Sequence, residues 1–241
     1  MRQISVDMYH RYWLLRLPRV HVNLSPLQDA GSAQLAPPSR PNGYASYHVA
    51  IFLLWLTGLA VGFFGLYTYE FSGTTDTNSP AYWPDDIPLL SSKQGPTLLF
   101  FVHPRCPCTA ASISELDRVL SRNPSSYQTY VVFPVPSRAP TGWLFGSNHS
   151  AAQRLPHAEI IEDDSASITN TFGVVLSGTT LVYGPDGRLI YEGGITASRG
   201  HAGTSYGSLA LEAIAQGDTS PRTGIPVFGC PVAAPQKETP S

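Results

Sequence analysis

Cys106 and Cys108 lie one residue apart in His103-Pro104-Arg105-Cys106-Pro107-Cys108-Thr109. Two thiols so spaced can shuttle between dithiol and disulfide, or supply soft ligands to a metal ion. The turn follows an apolar run at 97–102 and precedes a segment in which Ile113, Leu116, Val119 and Leu120 recur at helical spacing. A cysteine between a buried strand and a helix meets unpaired N–H groups and the positive end of the helix dipole, which favour thiolate over thiol. Arg105, and His103 when protonated, push the same way. Cys106 is therefore the expected nucleophile, with Pro107 at a first-turn position where its missing N–H costs nothing.

The third cysteine, Cys230, stands in a Pro-rich tail beside the apolar residues Val227 and Phe228. It is either a free tail thiol or a third thiol brought to the turn if Val227 and Phe228 dock. With 3 cysteines, two of them almost adjacent, the chain is no disulfide-stapled miniprotein. A Gly-rich block at 193–201 adds Arg199 and His201, either as a rim of the site or as an ordinary connection.

The positioning elements read as strand, helix, strand, helical region, hairpin, helix. The run at 97–102 is a strand buried on both faces, and the amphipathic helix after it ends near Asn123-Pro124. A second buried strand is expected at 130–135. Gly184-Pro185-Asp186-Gly187 is a turn between strands at 178–183 and 189–192, and 206–216 forms a last helix. This pattern implies a small α/β sandwich.

Ahead of it, residues 49–67 carry no charged side chain, and about 19 apolar residues suffice to cross a bilayer core as a helix. Arg2, Arg11, Arg16, Arg19 and Arg40 precede that run, whereas 70–92 carries Glu70, Asp76, Asp85 and Asp86 without Lys or Arg. The asymmetry places the N-terminus in the cytoplasm and the larger C-terminal part outside, in the periplasm, where disulfides persist. Gly58 and Gly62 offer a small-residue face for dimerisation. The expected organisation is a disordered cytoplasmic tail at 1–46, a transmembrane helix at 47–69, an extended tether at 70–95, the α/β domain at 96–217 and a Pro-rich tail at 218–241. At 13% charged residues and a net charge of −2, no basic field exists to hold nucleic acid.

The strand at 97–102, the turn HPRCPCT, Phe172-Gly173-Val174, the run from Ser177 to Leu181 and the PDGR hairpin resemble the thioredoxin superfamily. They look most like the membrane-tethered, thioredoxin-like thiol-disulfide proteins of bacterial envelopes, including the RedB-like group. The resemblance covers about residues 96–216 and implies a thioredoxin-like three-layer sandwich preceded by one transmembrane helix. It further implies a first cysteine that attacks a partner disulfide and a second that resolves the mixed disulfide, roles that fall on Cys106 and Cys108. The partners would be protein thiols and disulfides, with no cofactor.

The chain departs from the family twice. Cys108 comes one residue early, with Thr109 in the usual second-cysteine position, and a tight Cys-x-Cys ring favours an oxidant or isomerase over a strong reductant. Gly178 and Thr179 stand where the family carries a cis-proline. The leading expectation is a membrane-tethered thiol-disulfide oxidoreductase or isomerase. The alternative is a copper or zinc protein similar to the Sco-type proteins, with Cys106, Cys108 and His201 as ligands. A binding module without catalysis and a peroxidase are further readings.

Overall fold

The computed structural model describes residues 43–75, 78–85, 87 and 95–232. The arginines that set the expected orientation and the tail up to residue 42 lie outside the described residues, as do Asp76, Asp86 and 233–241. The chain divides into a unit ending at Phe52 and a unit beginning at Leu53.

Helix α1 spans Gly43–Phe71. The first unit contributes its opening turns, where Val49, Ile51 and Phe52 are exposed. Within α1, Ser46–Phe71 has a mean hydropathy of 2.3 and is long and apolar enough to cross a membrane. The Thr57 hydroxyl donates to the Leu53 carbonyl at 2.8 Å, and Thr68 donates to Phe64 O at 3.0 Å. Bonding back to the preceding turn satisfies these hydroxyls without water, so polar residues cost little in an apolar helix.

The second unit also holds a six-stranded sheet in the order β3-β2-β1-β4-β5-β6. In chain order come β1 (Thr97–Phe101), α2 (Thr109–Arg122), β2 (Gln128–Val135), α3 (Ser147–Ala152), β3 (Ala158–Asp164) and α4 (Ser167–Thr171). There follow β4 (Thr180–Tyr183), β5 (Leu189–Gly193), α5 (Tyr206–Ala215) and β6 (Arg222–Ile225). β1 pairs parallel with β2 and antiparallel with β4, and β4 with β5 forms the expected hairpin. Two strands were not anticipated: β3 parallel to β2 at one edge, and β6 parallel to β5 at the other.

β1 is buried along its whole length because neighbouring residues face opposite layers. Leu98, Phe100 and Val102 pack with Ile113, Leu116 and Val119 of α2 and with Ala210, Leu211 and Ile214 of α5. Leu99 and Phe101 pack with Ile168, Phe172, Val174, Leu181, Tyr183 and Val232 on the other face. The result is the expected three-layer α/β sandwich, with the cysteine turn leaving the C-terminal end of a central strand.

Part of 70–95 is built onto this sandwich. The Trp83 N–H donates to Gly187 O at 2.8 Å, and its indole meets Phe172 and Tyr183 edge-on at centroid distances of 5.4 and 5.3 Å. Such aromatic pairs add about 0.5–1.5 kcal/mol beyond area burial.

α2 holds the cysteine turn against the sheet through Leu116, which is fully buried. Leu116→Ala is expected to cost about 2–5 kcal/mol of domain stability. Urea unfolding of the full chain in detergent, followed by near-UV circular dichroism, measures it, and an unchanged midpoint would mean that α2 is not packed in this way.

Candidate functional site

The site is built where β1 ends. The Cys106 N–H donates to His103 O at 3.2 Å and the Thr109 N–H to Cys106 O at 3.3 Å, closing two successive turns. Helix α2 then begins at Thr109, with Cys108 as its N-cap in helical conformation. Pro107 thus lies one residue before the cap, not inside the first helical turn as expected, because these turns use up 103–108. Asn148 clamps the loop from outside. Its side-chain amide is buried and donates to Cys106 O at 2.8 Å and to His103 O at 3.1 Å.

Ser177 ties this turn to the loop before β4. Its hydroxyl accepts from the His103 N–H at 2.8 Å and lies 2.6 Å from the Thr109 hydroxyl. Gly178 and Thr179 continue the pairing: the Gly178 N–H donates to Phe101 O at 2.8 Å and the Phe101 N–H to Thr179 O at 3.0 Å. Gly178 has φ of 92°, a left-handed conformation that glycine takes without strain. These two residues therefore shape the backbone beside the turn.

Cys106 is only 1% exposed, and all three cysteines are free thiols. The main-chain N–H of Cys230 donates to Cys106 Sγ at 3.3 Å. Burial alone would push the Cys106 thiol up. Hydrogen bonds from the Thr109 and Cys230 side chains and from both main chains outweigh it and hold the group below its ordinary value. Cys230 is pushed up to about 12, first by burial, then by donating to Cys106 and by the charges of Cys106 and Cys108, with Arg199 opposing. Cys230 is thus the weaker acid of the two and the hydrogen-bond donor to Cys106.

The expected helpers act differently from their sequence roles. His103 is held below the usual imidazole range, first by desolvation and then by Arg105. Its Nδ1 accepts from the Arg105 main-chain N–H at 3.2 Å, an arrangement that favours the neutral ring over the cation expected to assist Cys106. The Arg105 guanidinium lies over the Trp143 ring, 5.5 Å from its centroid.

Arg199 instead gathers carbonyls. It donates to Tyr69 O at 3.4 Å, Ser72 O at 3.1 Å and Gly229 O at 3.3 Å, joining the C-terminal end of α1 to the segment that carries Cys230. A cation there also suits the negative end of the helix dipole. His201 Nδ1 is 2.8 Å from Glu70 Oε1. The alternative ligand set of Cys106, Cys108 and His201 is not assembled. Among the described residues, no group of three or more His, Cys, Asp or Glu side chains stands in an arrangement that could hold a metal ion.

The sequence reading missed Asn148, Ser177 and Gly229. Asn148 stands in a short helix with no recognisable pattern. Ser177 was visible only as part of a loop motif, its two bonds depending on tertiary contacts with 103 and 109.

No protein-family model matches the chain, and neither does any curated protein. Among solved structures it is similar to a hypothetical protein from Sinorhizobium meliloti, at 17% identity, covering 66% of this chain and 97% of that one with a TM-score of 0.49. An uncharacterized conserved protein from Geobacillus kaustophilus shares 16% identity over 68% of this chain and 93% of its own, with a TM-score of 0.48. A secreted Mycobacterium tuberculosis disulfide oxidoreductase shares 18% identity over 52% and 83%, with a TM-score of 0.37. At these distances the chain's own geometry has to carry the functional reading.

Thr109→Val removes a donor to Cys106 without touching a sulfur. The pH midpoint of Cys106 alkylation by iodoacetamide should lie below the ordinary thiol value of about 8.5 in the natural chain and rise in this variant. An unchanged midpoint would remove Thr109 from the stabilisation of the thiolate.

Proposed function

We propose that the protein is a membrane-tethered thiol-disulfide oxidoreductase or isomerase of the thioredoxin superfamily, with Cys106 as its nucleophile. The observation that carries this reading is the buried Cys106 sulfur at the end of the central strand, which accepts from the Cys230 main-chain N–H and is held below the ordinary thiol pKa. The thiolate is the attacking species in disulfide exchange, and a buried thiol without such donors would be inert. Cys106 attacks one sulfur of a partner protein's disulfide, forming a mixed disulfide and releasing the other sulfur as thiolate. A second thiol of this chain, Cys108 or Cys230, resolves the mixed disulfide. The partner leaves as a dithiol and the chain is left oxidised, and the reverse sequence oxidises a dithiol partner.

In this reading α1 crosses the bilayer once, with the N-terminus cytoplasmic and the sandwich on the outer face of the inner membrane. The support is an unbroken apolar helix whose side chains are exposed throughout, as Leu54, Val61, Phe63 and Phe64 are. In water such a surface has no partner, whereas about 30 Å of hydrocarbon matches a helix of this length. Tyr67 and Tyr69 at its C-terminal end suit the headgroup region. Dimerisation through the small-residue face of Gly58 and Gly62 belongs to the same reading.

Redox titration of the full chain in detergent against glutathione, with alkylation and mass spectrometry as readout, should give one reversible two-electron transition that Cys106→Ser abolishes. If Cys106 stays reduced at every poise, the oxidoreductase reading fails. Extraction of membranes with alkaline carbonate should leave the chain in the pellet, and release to the supernatant would count against the span.

A further inference from the structure

Residues 226–232 run along the molecule as an extended strap. The Thr74 and Val227 main chains exchange two hydrogen bonds, at 3.1 and 2.9 Å. Further on, the Ser177 N–H donates to Cys230 O at 2.8 Å and the Val232 N–H to Val175 O at 3.0 Å, around an antiparallel bridge between Leu176 and Pro231. Val227, Phe228 and Val232 are buried. This is a strand added to the loop that borders the cysteine turn, the mode by which extended peptides bind sheet edges.

The sequence is cut to let the strap pass. A Cβ on Gly229 would lie 1.7 Å from Ser177 O. One on Gly194 would lie 2.5 Å from Pro226 O, and one on Gly193 2.4 Å from the Cβ of Ile225. Three glycines on two sides of the same path give the strap a fitted seat. Arg199 adds a bond to Gly229 O from the side. The register so fixed aims the Cys230 N–H at Cys106 Sγ.

From this strand pairing we infer that Cys230, delivered by the strap, is the thiol that pairs with Cys106, and that Cys108 is not. The inference rests on the proposed exchange chemistry and names its second sulfur. Cys106 S⁻ attacks a disulfide R–S–S–R′, forming Cys106–S–S–R and expelling R′–S⁻. Cys230 then loses its proton to solvent and attacks the Cys106 sulfur, forming the Cys106–Cys230 disulfide and expelling R–S⁻. The substrate disulfide is reduced by two electrons and the two chain thiols are oxidised by two, and the released thiolates take up protons from water. Cys108 stands at the cap of α2.

The test uses the full chain in detergent, the reduced protein mixed with oxidised glutathione, quenched with acid and alkylating agent, and mapped by peptide mass spectrometry. The expected product is a Cys106–Cys230 disulfide, formed equally well in Cys108→Ser. In Cys230→Ser the glutathione adduct on Cys106 should persist longer by on the order of a hundredfold, as loss of an intramolecular nucleophile implies. A Cys106–Cys108 disulfide that Cys108→Ser abolishes and Cys230→Ser leaves intact would overturn the inference while keeping the oxidoreductase. Absence of both the adduct and any disulfide would overturn both.

Discussion

The site draws together around the Cys106 sulfur, which accepts a hydrogen bond from the main-chain N–H of Cys230. A main-chain donor is aimed by the backbone around it, so its direction is set by how the strap is paired. That pairing in turn requires the loop at 175–177 to lie beside the end of β1, which the bonds between Phe101, Gly178 and Thr179 secure. Ser177 links both halves, its hydroxyl on the cysteine turn and its N–H on the strap. The backbone converging on the buried sulfur thus acts with the Thr109 side chain to hold the Cys106 thiol below its ordinary value, against the effect of burial.

Much of the sandwich was legible in the sequence because its central elements are strongly patterned. The run at 97–102 is apolar at every position after Thr97, and the period of α2 is unambiguous. β3 escaped notice because Ala158–Asp164 pairs with one neighbour only and stands at the sheet edge, so acidic residues flank Ile160 and Ile161. An edge strand exposed to water loses the continuous apolar signature that marks a buried one. β6 was hidden for another reason. Arg-Thr-Gly-Ile in a Pro-rich tail has no periodicity, and its strand state is imposed by β5.

The position of Cys106 was legible in the sequence, and its surroundings were less so. Cys106 follows from the strand-turn-helix order, a local property. The expectation that His103 would assist as a cation followed from proximity in sequence, but burial beside Arg105 makes the charged ring unfavourable. The docking of Cys230 was open in the sequence, because Val227 and Phe228 give a reason to bury the tail without saying where. The glycines at 193, 194 and 229 carried that information, yet each reads as an ordinary loop residue until its neighbour across the strap is known.

In the proposed exchange the two thiols play unequal parts although they stand close together. Burial keeps Cys230 protonated, and the next contributions are its hydrogen bond to Cys106 and the charge there. Both vanish when Cys106 enters a mixed disulfide, since its sulfur is then neutral and no longer an anionic acceptor. Arg199 continues to favour the Cys230 thiolate after that change. In the proposed exchange the second thiol therefore becomes easier to ionise at the stage when its attack is required, and is restrained before it. Because Arg199 also binds carbonyls at the end of α1, the contact that favours this ionisation is anchored beside the apolar helix, so the setting of the second thiol depends on how the chain leaves that helix.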